Sequence, residues 1–141
     1  GALVVVPYYN KPPQEGLLKH FSEIANATSL PIILYNVPSR TITSIKAETV
    51  ASLSEVSNIV GIKEASGDLA LCKEILSKSK KGFFVLSGDD ATYLELYMVG
   101  AKGDISVLSN MATKQTKFWS EHIAENPEET KTEFRAHKNL I

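Results

Sequence analysis

The chain has 141 residues, of which 43% are hydrophobic and 22% are charged, with a formal net charge of −1. This composition is ordinary for a globular domain, and the length is sufficient to bury a core. No basic stripe of the kind that binds nucleic acid is present, and the longest apolar run, residues 2–7, is too short to cross a bilayer. We therefore expect neither a nucleic-acid partner nor a membrane partner.

The number and positions of cysteine and histidine residues argue against a disulfide and against a metal site. The single cysteine, Cys72, cannot form an intrachain disulfide, and this usage predicts a cytoplasmic protein. Its place on the apolar side of a predicted helix favours a small buried residue over a reactive thiol. The three histidines are scattered through helical stretches without metal-ligand spacing. We expect no metal site and no cofactor.

Five short apolar runs alternate with amphipathic stretches along the chain. In chain order, the pattern predicts a strand at 3–7, a helix at 15–27, a strand at 31–35, a helix at 46–56, a strand at 59–63, a helix at 69–76, a strand at 83–86, a helix at 93–99, a strand at 104–108, and helices at 113–124 and 127–137. The strands are almost continuous in apolar residues, as expected when helices cover both faces of a parallel sheet.

Alternation of strands and helices indicates βαβ units. Such units occur both in an open doubly wound sheet and in a (β/α)8 barrel. The first strand runs into Pro7-Tyr8-Tyr9-Asn10 instead of a glycine-rich turn, which argues against a Rossmann sheet. A complete barrel takes about 250 residues, and five strands do not close one. We predict an α/β fold: a partial TIM (β/α)8 barrel of about five parallel strands, forming one domain over residues 1–141.

Polar residues collect directly after the predicted strands, at 8–10, 35–40, 63–66, 87–90 and 109–110. Parallel α/β folds place their working residues at the carboxyl ends of the strands. The opposite ends of these strands carry few chemically active groups. We therefore expect a functional site at the carboxyl end of the sheet.

Lys63 is the most informative residue at this end, because it follows Ile59-Val60-Gly61-Ile62 without a break. Lysine is rarely buried without a partner, and loss of water favours the neutral amine, which is a nucleophile toward carbonyl groups. The pattern leaves two alternatives open, a side chain that extends to solvent from the strand end and one that pairs with Glu64.

Other residues at the strand ends also have two interpretations each. Tyr35 could relay protons beside Lys63 or could be an aromatic core residue. Arg40 could bind a substrate carboxylate with its planar fork or could form a surface salt bridge. Gly88 permits close approach of the backbone, whereas Asp89 or Asp90 is favoured as the N-cap of the next helix.

Four segments of the chain, in the same order and spacing, resemble the dihydrodipicolinate synthase family. They are Pro7-Tyr8-Tyr9-Asn10-Lys11-Pro12, Tyr35-Asn36-Val37-Pro38-Ser39-Arg40-Thr41, Gly61-Ile62-Lys63-Glu64-Ala65-Ser66-Gly67-Asp68 and Ser87-Gly88-Asp89-Asp90. The likeness covers essentially the whole chain. It implies a (β/α)8 barrel and a class I, Schiff-base aldolase mechanism without a cofactor.

The resemblance implies a role for the lysine and for two tyrosines. Lys63 would condense with pyruvate to an imine, whose enamine attacks aspartate semialdehyde to give 4-hydroxy-tetrahydrodipicolinate in lysine (diaminopimelate) biosynthesis. Tyr35 matches the family's proton-relay tyrosine. Tyr9 matches the tyrosine that completes the relay in the neighbouring subunit of a tight dimer, so a homo-oligomer, dimer or tetramer, is implied.

Further positions are implied by the same resemblance. Arg40 matches the arginine that receives the carboxylate of aspartate semialdehyde. Gly88 and Ile105 match positions that line the pyruvate pocket. Tyr8 matches a residue at the dimer interface, near the lysine-feedback site of regulated members.

Two alternative functions stay open. N-acetylneuraminate lyase, a sister family, shares the lysine and the tyrosine, although Arg40 and the segment Tyr8-Tyr9-Asn10 favour the synthase. The resemblance also begins at the fourth barrel strand, so residues 1–141 would form strands 4 to 8 and the following helices. The family's paired pyruvate-binding threonines would then lie outside this sequence, and a non-catalytic fragment that acts as an oligomeric or interaction module is the second hypothesis.

Overall fold

A parallel sheet of four strands forms the centre of the fold, as seen in a computed structural model that describes residues 1–137. The strands are β1 (Ala2–Val5), β2 (Ile32–Asn36), β3 (Ile59–Glu64) and β4 (Phe84–Ser87). They lie in the sheet in chain order, and every neighbouring pair is parallel. Strands that neighbour one another in chain order are typical of a (β/α)8 barrel. A doubly wound sheet instead reverses the direction of its strand order at a switch point.

Seven α-helices connect and follow the strands in the part of the chain that the structure describes. They are α1 (Gln14–Asn26), α2 (Pro38–Thr41), α3 (Ala47–Ser54), α4 (Leu69–Lys78), α5 (Tyr93–Met98), α6 (Thr113–His122) and α7 (Pro127–Ala136). The six helices predicted from the sequence are confirmed, with ends that differ by no more than two residues. Within residues 1–137, no helix combines the length and the apolar character needed to span a membrane.

The short helix α2 was not predicted, because four residues are too few to show a helical period. It begins with Pro38, whose fixed φ suits a first helical position and whose missing N–H is not needed there. This helix matters for the site because it carries Arg40.

The predicted strand at 104–108 is corrected by the structure. Only Asp104 pairs with the sheet, in an isolated parallel bridge to Ser87. Beyond it, the Asp90 carboxylate accepts the backbone N–H groups of Val107 and Leu108 at 3.0 and 2.9 Å. Because a side-chain acceptor takes N–H groups that a β-ladder would use, the chain turns into a 3-10 helix, Leu108–Asn110, instead of extending the strand.

The core consists of two apolar clusters. The larger lies between the sheet and α1, α3 and α4, and includes Phe21, Ile32, Leu34 and Leu53, all without solvent exposure. The smaller joins α5, α6 and α7 around the buried Trp119. Along β2, Ile32 and Leu34 are buried while the alternate residues are half-buried, so the two faces of this strand differ in burial.

Candidate active site

Strand register brings Lys63 and Tyr35 together. Lys63 is the next-to-last residue of β3, and its partners across the sheet are Tyr35 in β2 and Leu86 in β4. Partners across a sheet project from the same face, so the two side chains lie side by side. The Lys63 Nζ atom is 4.4 Å from the centroid of the Tyr35 ring, a distance at which the ring face attracts an ammonium group.

Both structural alternatives for Lys63 are wrong. The residue is only 8% exposed, so it does not extend into solvent. Among the ion pairs of residues 1–137, none includes Lys63. Glu64 binds other groups: its Oε2 accepts from the Asn36 side chain at 2.8 Å and its Oε1 from the Ser66 backbone N–H at 2.6 Å.

The contact between Asn36 and Glu64 is a positioning element that the sequence pattern does not reveal. Both residues have no solvent exposure, and they are register partners one step beyond Tyr35 and Lys63. Asn36 Oδ1 also accepts from the backbone N–H of Ile45 at 3.2 Å. Burial raises the pKa of the Glu64 carboxyl, and the hydrogen bonds from Ser66 and Asn36 offset part of that rise. The contact holds the carboxyl ends of β2 and β3 together through side chains as well as backbone.

Gly88 makes room for the stem of Lys63. A Cβ atom at this position would lie 2.5 Å from Lys63 Cε and 2.8 Å from Ala65 Cβ, both closer than real contacts allow. The close approach predicted for this glycine is therefore present. Any larger residue would displace the amine from its place beside Tyr35.

Arg40 shares a surface groove with Tyr35. The groove has a volume of about 490 Å³, and its lining comprises Leu3, Val5, Tyr8, Tyr35, Val37, Arg40 and Thr41. Arg40 is exposed, and no carboxylate within residues 1–137 forms a salt bridge with it, contrary to the surface-pair alternative. Its guanidinium group is therefore available to an anionic ligand in the groove.

Three other predicted residues are exposed to solvent. Tyr9 is 92% exposed and does not line the groove, and Tyr8 is 62% exposed at its edge. Ile105 is also exposed, and its backbone N–H donates to Ser87 O at 2.9 Å. The roles that the resemblance implies for these residues stay predictions.

The prediction that Asp89 or Asp90 caps the next helix is wrong. Thr92 occupies the N-cap position of α5, and Asp89 accepts from its hydroxyl at 2.7 Å. Asp90 instead accepts from the two backbone N–H groups at the start of the 3-10 helix. These acidic side chains connect the loop after β4 to neighbouring segments and do not begin a helix.

Asp104 is a half-buried residue with one buried carboxyl oxygen, and the sequence pattern assigns it a strand position and no role. Burial, the largest cause, and the neighbouring Asp90 together raise its pKa to about 7, and Lys63 offsets part of the rise. Its Oδ1 atom is buried without a hydrogen-bond partner. A sequence signal was present, because a carboxylate at the start of a predicted buried strand requires a partner or a proton.

The parallel sheet in sequential strand order is typical of a barrel-type α/β protein. Its site is centred on a buried lysine, which lies beside a tyrosine at the carboxyl ends of adjacent strands. The sequence profile of the Dihydrodipicolinate synthetase family matches residues 1–139. The chain belongs to this family, as its motifs predicted.

Relatives and solved structures agree with this assignment. The chain is 59% identical to the 4-hydroxy-tetrahydrodipicolinate synthase of Pseudomonas syringae pv. syringae over 112 residues, which are 79% of this chain and 38% of the relative. It is 50% identical to the synthase of Bdellovibrio bacteriovorus over 123 residues, 87% of this chain and 42% of the relative.

Among solved structures, the dihydrodipicolinate synthase of Acinetobacter baumannii, complexed with pyruvate, matches with a TM-score of 0.93 and 45% identity, covering 99% of this chain and 48% of that one. The enzyme of Aquifex aeolicus matches with a TM-score of 0.91 and 41% identity, covering 97% and 47%. The chain thus spans less than half the length of these proteins. The predicted fold class, a partial TIM barrel, is confirmed.

The raised pKa of Asp104 predicts how stability depends on pH. A carboxyl whose pKa is higher in the folded state binds more protons there, so its contribution to stability falls as pH rises from about 4 to about 7. We expect Asp104→Asn to raise the free energy of unfolding relative to the parent chain at pH 8 and to change it little at pH 4, measured by urea unfolding. The control is Glu55→Gln, at an exposed carboxyl. Equal effects of Asp104→Asn at both pH values would contradict the assignment.

Proposed function

We propose that this chain carries the imine-forming site of a class I, Schiff-base lyase that condenses pyruvate with aspartate semialdehyde to 4-hydroxy-tetrahydrodipicolinate, a step of lysine biosynthesis. The observation that carries the proposal is the burial of Lys63, 8% exposed, with its Nζ 4.4 Å from the Tyr35 ring centroid. The names of the relatives, and the pyruvate bound in the Acinetobacter structure, support the choice of reaction and substrates.

The first step proposed is attack of the neutral Lys63 amine on the keto carbon of pyruvate. The carbinolamine that forms loses water to give a protonated imine, and loss of a methyl proton then gives an enamine. Tyr35 is the candidate proton relay for these steps, because its ring already lies against the amine. Imine formation uses the neutral form of a lysine amine, because that is the nucleophilic form.

The second step proposed is carbon–carbon bond formation. The enamine carbon attacks the aldehyde of aspartate semialdehyde, whose oxygen takes up a proton. The amino group of the second substrate then attacks the imine carbon, which closes the ring and releases Lys63. Arg40 is proposed to bind the substrate carboxylate, since its guanidinium lies in the same groove as Tyr35 and has no carboxylate partner within residues 1–137.

Other site residues keep the roles that the resemblance implies. Gly88 and Ile105 are proposed to line the pyruvate pocket, and the contact of Gly88 with the Lys63 stem supports the first of these. Tyr9 is proposed to act in the site of a second subunit, and its 92% exposure leaves it free to do so.

The proposal includes a homo-oligomer and a cytoplasmic location. A solved relative is described as the first monomeric dihydrodipicolinate synthase variant, which supports oligomers as the usual form in the family. The single cysteine, buried and unable to form an intrachain disulfide, supports a reducing compartment.

Trapping with borohydride tests the proposed amine. Pyruvate followed by borohydride should leave a stable reduced adduct on Lys63, located by peptide mass spectrometry, because reduction of the imine makes the carbon–nitrogen bond permanent. Lys63→Ala should abolish the adduct, whereas Lys73→Ala, which removes an exposed lysine of α4, should leave it unchanged. Absence of the adduct, or its even distribution over surface lysines, would be evidence against a formed site and in favour of a non-catalytic fragment.

The proton relay makes a separate prediction. Tyr35→Phe keeps the ring but removes the hydroxyl, and should slow formation of the trapped adduct by about 10²- to 10⁴-fold, the usual contribution of a positioned acid–base group. The measurement is the adduct yield against time of incubation with pyruvate. Tyr97→Phe, on α5, serves as the matched control and should react at the parent rate. An unchanged rate for Tyr35→Phe would remove this residue from the mechanism.

A further inference from the structure

A second cavity, of about 250 Å³, lies on the other side of the loop that follows β4. Its lining comes from that loop, α5, the segment around the 3-10 helix, α6 and α7. Its walls include Asp90, Tyr93, Asp104, Leu108, Trp119 and Phe134. None of the residues assigned to imine chemistry lines it.

Two buried polar atoms at this cavity have no hydrogen-bond partner. Tyr93 is only 4% exposed, and neither its hydroxyl nor Oδ1 of Asp104 has a partner at normal hydrogen-bond distance, although Ser120 lies near the hydroxyl and Asp90 near the carboxyl. Only four buried side-chain atoms in the part of the chain that the structure describes are unpartnered, and two of them belong to residues that line this one cavity. Native proteins supply most buried polar groups with a hydrogen-bond partner, because a buried group without one is destabilising. The pair points to an occupant that makes hydrogen bonds.

The acidic residues at the cavity indicate the charge of the ligand that would bind there. Asp104 lies close enough to Asp90 for the second carboxyl to raise its pKa, and Asp90 already accepts two backbone N–H groups through Oδ2. Two adjacent carboxyls in a partly buried site favour either a shared proton or a bound cation. Lys117 also lines the cavity, but its side chain is 70% exposed and pairs with Glu121 at 3.6 Å, so the cavity keeps an acidic end.

The other residues that line the cavity indicate the apolar part of the ligand. Leu108, Trp119 and Phe134 present aliphatic and aromatic surface, and the volume of about 250 Å³ is far larger than a bare ion requires. Within residues 1–137, no group of three or more His, Cys, Asp or Glu side chains is placed to hold a metal. An organic cation with an apolar body therefore matches both ends of the cavity.

We propose that this cavity is a binding site for a small organic ammonium ion. Its N–H groups donate to Asp104 Oδ1 and to the Tyr93 hydroxyl oxygen, and its apolar body packs against Trp119 and Phe134. The site is separate from the groove that Tyr35 and Arg40 line.

The single tryptophan of the chain, Trp119, gives a direct readout because it lines the cavity. Titration of the full chain with benzylamine at pH 8 should produce a saturable change in tryptophan fluorescence. Benzyl alcohol has the same shape and no charge, so it should bind at least about tenfold more weakly, as expected when a charged hydrogen bond is lost. Equal binding of the two probes would show an apolar cavity only and would overturn the proposal.

The same titration at about pH 5 tests the role of the carboxyl. The charged or titratable groups that face Asp104 are Asp89, Asp90 and Lys63, with Tyr93 and Lys117 across the cavity. Because the pKa of Asp104 is about 7, acid protonates it while benzylamine stays cationic, and the affinity should fall about tenfold or more. Affinity that is independent of pH would contradict the assignment of Asp104.

Variants locate the binding site. Asp104→Asn should lose most of the affinity for benzylamine, and Tyr93→Phe should weaken binding by several-fold through loss of one acceptor. Glu95→Gln removes a charge from an exposed position on the same helix and should bind as the parent chain does. Circular dichroism checks that each variant is folded; if Asp104→Asn is not, the comparison with benzyl alcohol and the pH dependence decide. No saturable signal in the parent chain, or parent-like binding by folded Asp104→Asn, would overturn the proposal.

Discussion

The register between β2 and β3 places Tyr35 directly across from Lys63, and the proposed chemistry depends on this pairing. A shift of one residue would turn Lys63 to the opposite face of the sheet, into the apolar layer formed by the helices. Backbone hydrogen bonds of the ladder set the register, and the buried contact between Asn36 and Glu64 reinforces it one residue further along. Gly88 then leaves space for the lysine stem from the side of β4. Three neighbouring strands thus contribute to the position of one amine.

Sequence alone predicted the parts of the fold that arise from regular patterns. Apolar runs separated by helical periods gave the parallel sheet, and the strand-end position of Lys63 gave the candidate nucleophile. The sequence pattern could not decide whether this lysine is free of an ion pair, because Glu64 follows it directly and is a possible partner. The structure decides it, since alternation along β3 and the contact with Asn36 keep the Glu64 carboxyl away from an ion pair with the lysine.

Two of the corrected predictions, the cap at Asp90 and the strand at 104–108, involve a side chain that competes with backbone hydrogen bonding. Local pattern favours Asp90 as a possible helix cap and residues 104–108 as a strand, yet the carboxylate of Asp90 binds the backbone N–H groups of Val107 and Leu108. This one long-range contact thus explains why Asp90 does not cap a helix and why residues 104–108 do not form a strand. Contacts between residues 17 and 18 positions apart leave no periodic signal, so local pattern does not reveal them. The raised pKa of Asp104 is a consequence of the same folding of this segment.

Family membership and the local geometry support the same chemistry by independent arguments. The family match follows from sequence along residues 1–139, whereas the closeness of amine and phenol follows from strand register. The groove beside them contains Arg40, which suits a substrate with a carboxylate. Because the chain spans 38–48% of the synthases from Pseudomonas, Bdellovibrio, Aquifex and Acinetobacter, the complete reaction is a proposal about this portion of the fold.

The most direct test of the central claim is a crystal structure of the chain soaked with pyruvate. We expect continuous density from Lys63 Nζ to the keto carbon, with the Tyr35 ring against the new bond. Density for a lysine that points into solvent, away from Tyr35 and without a bound keto acid, would contradict it.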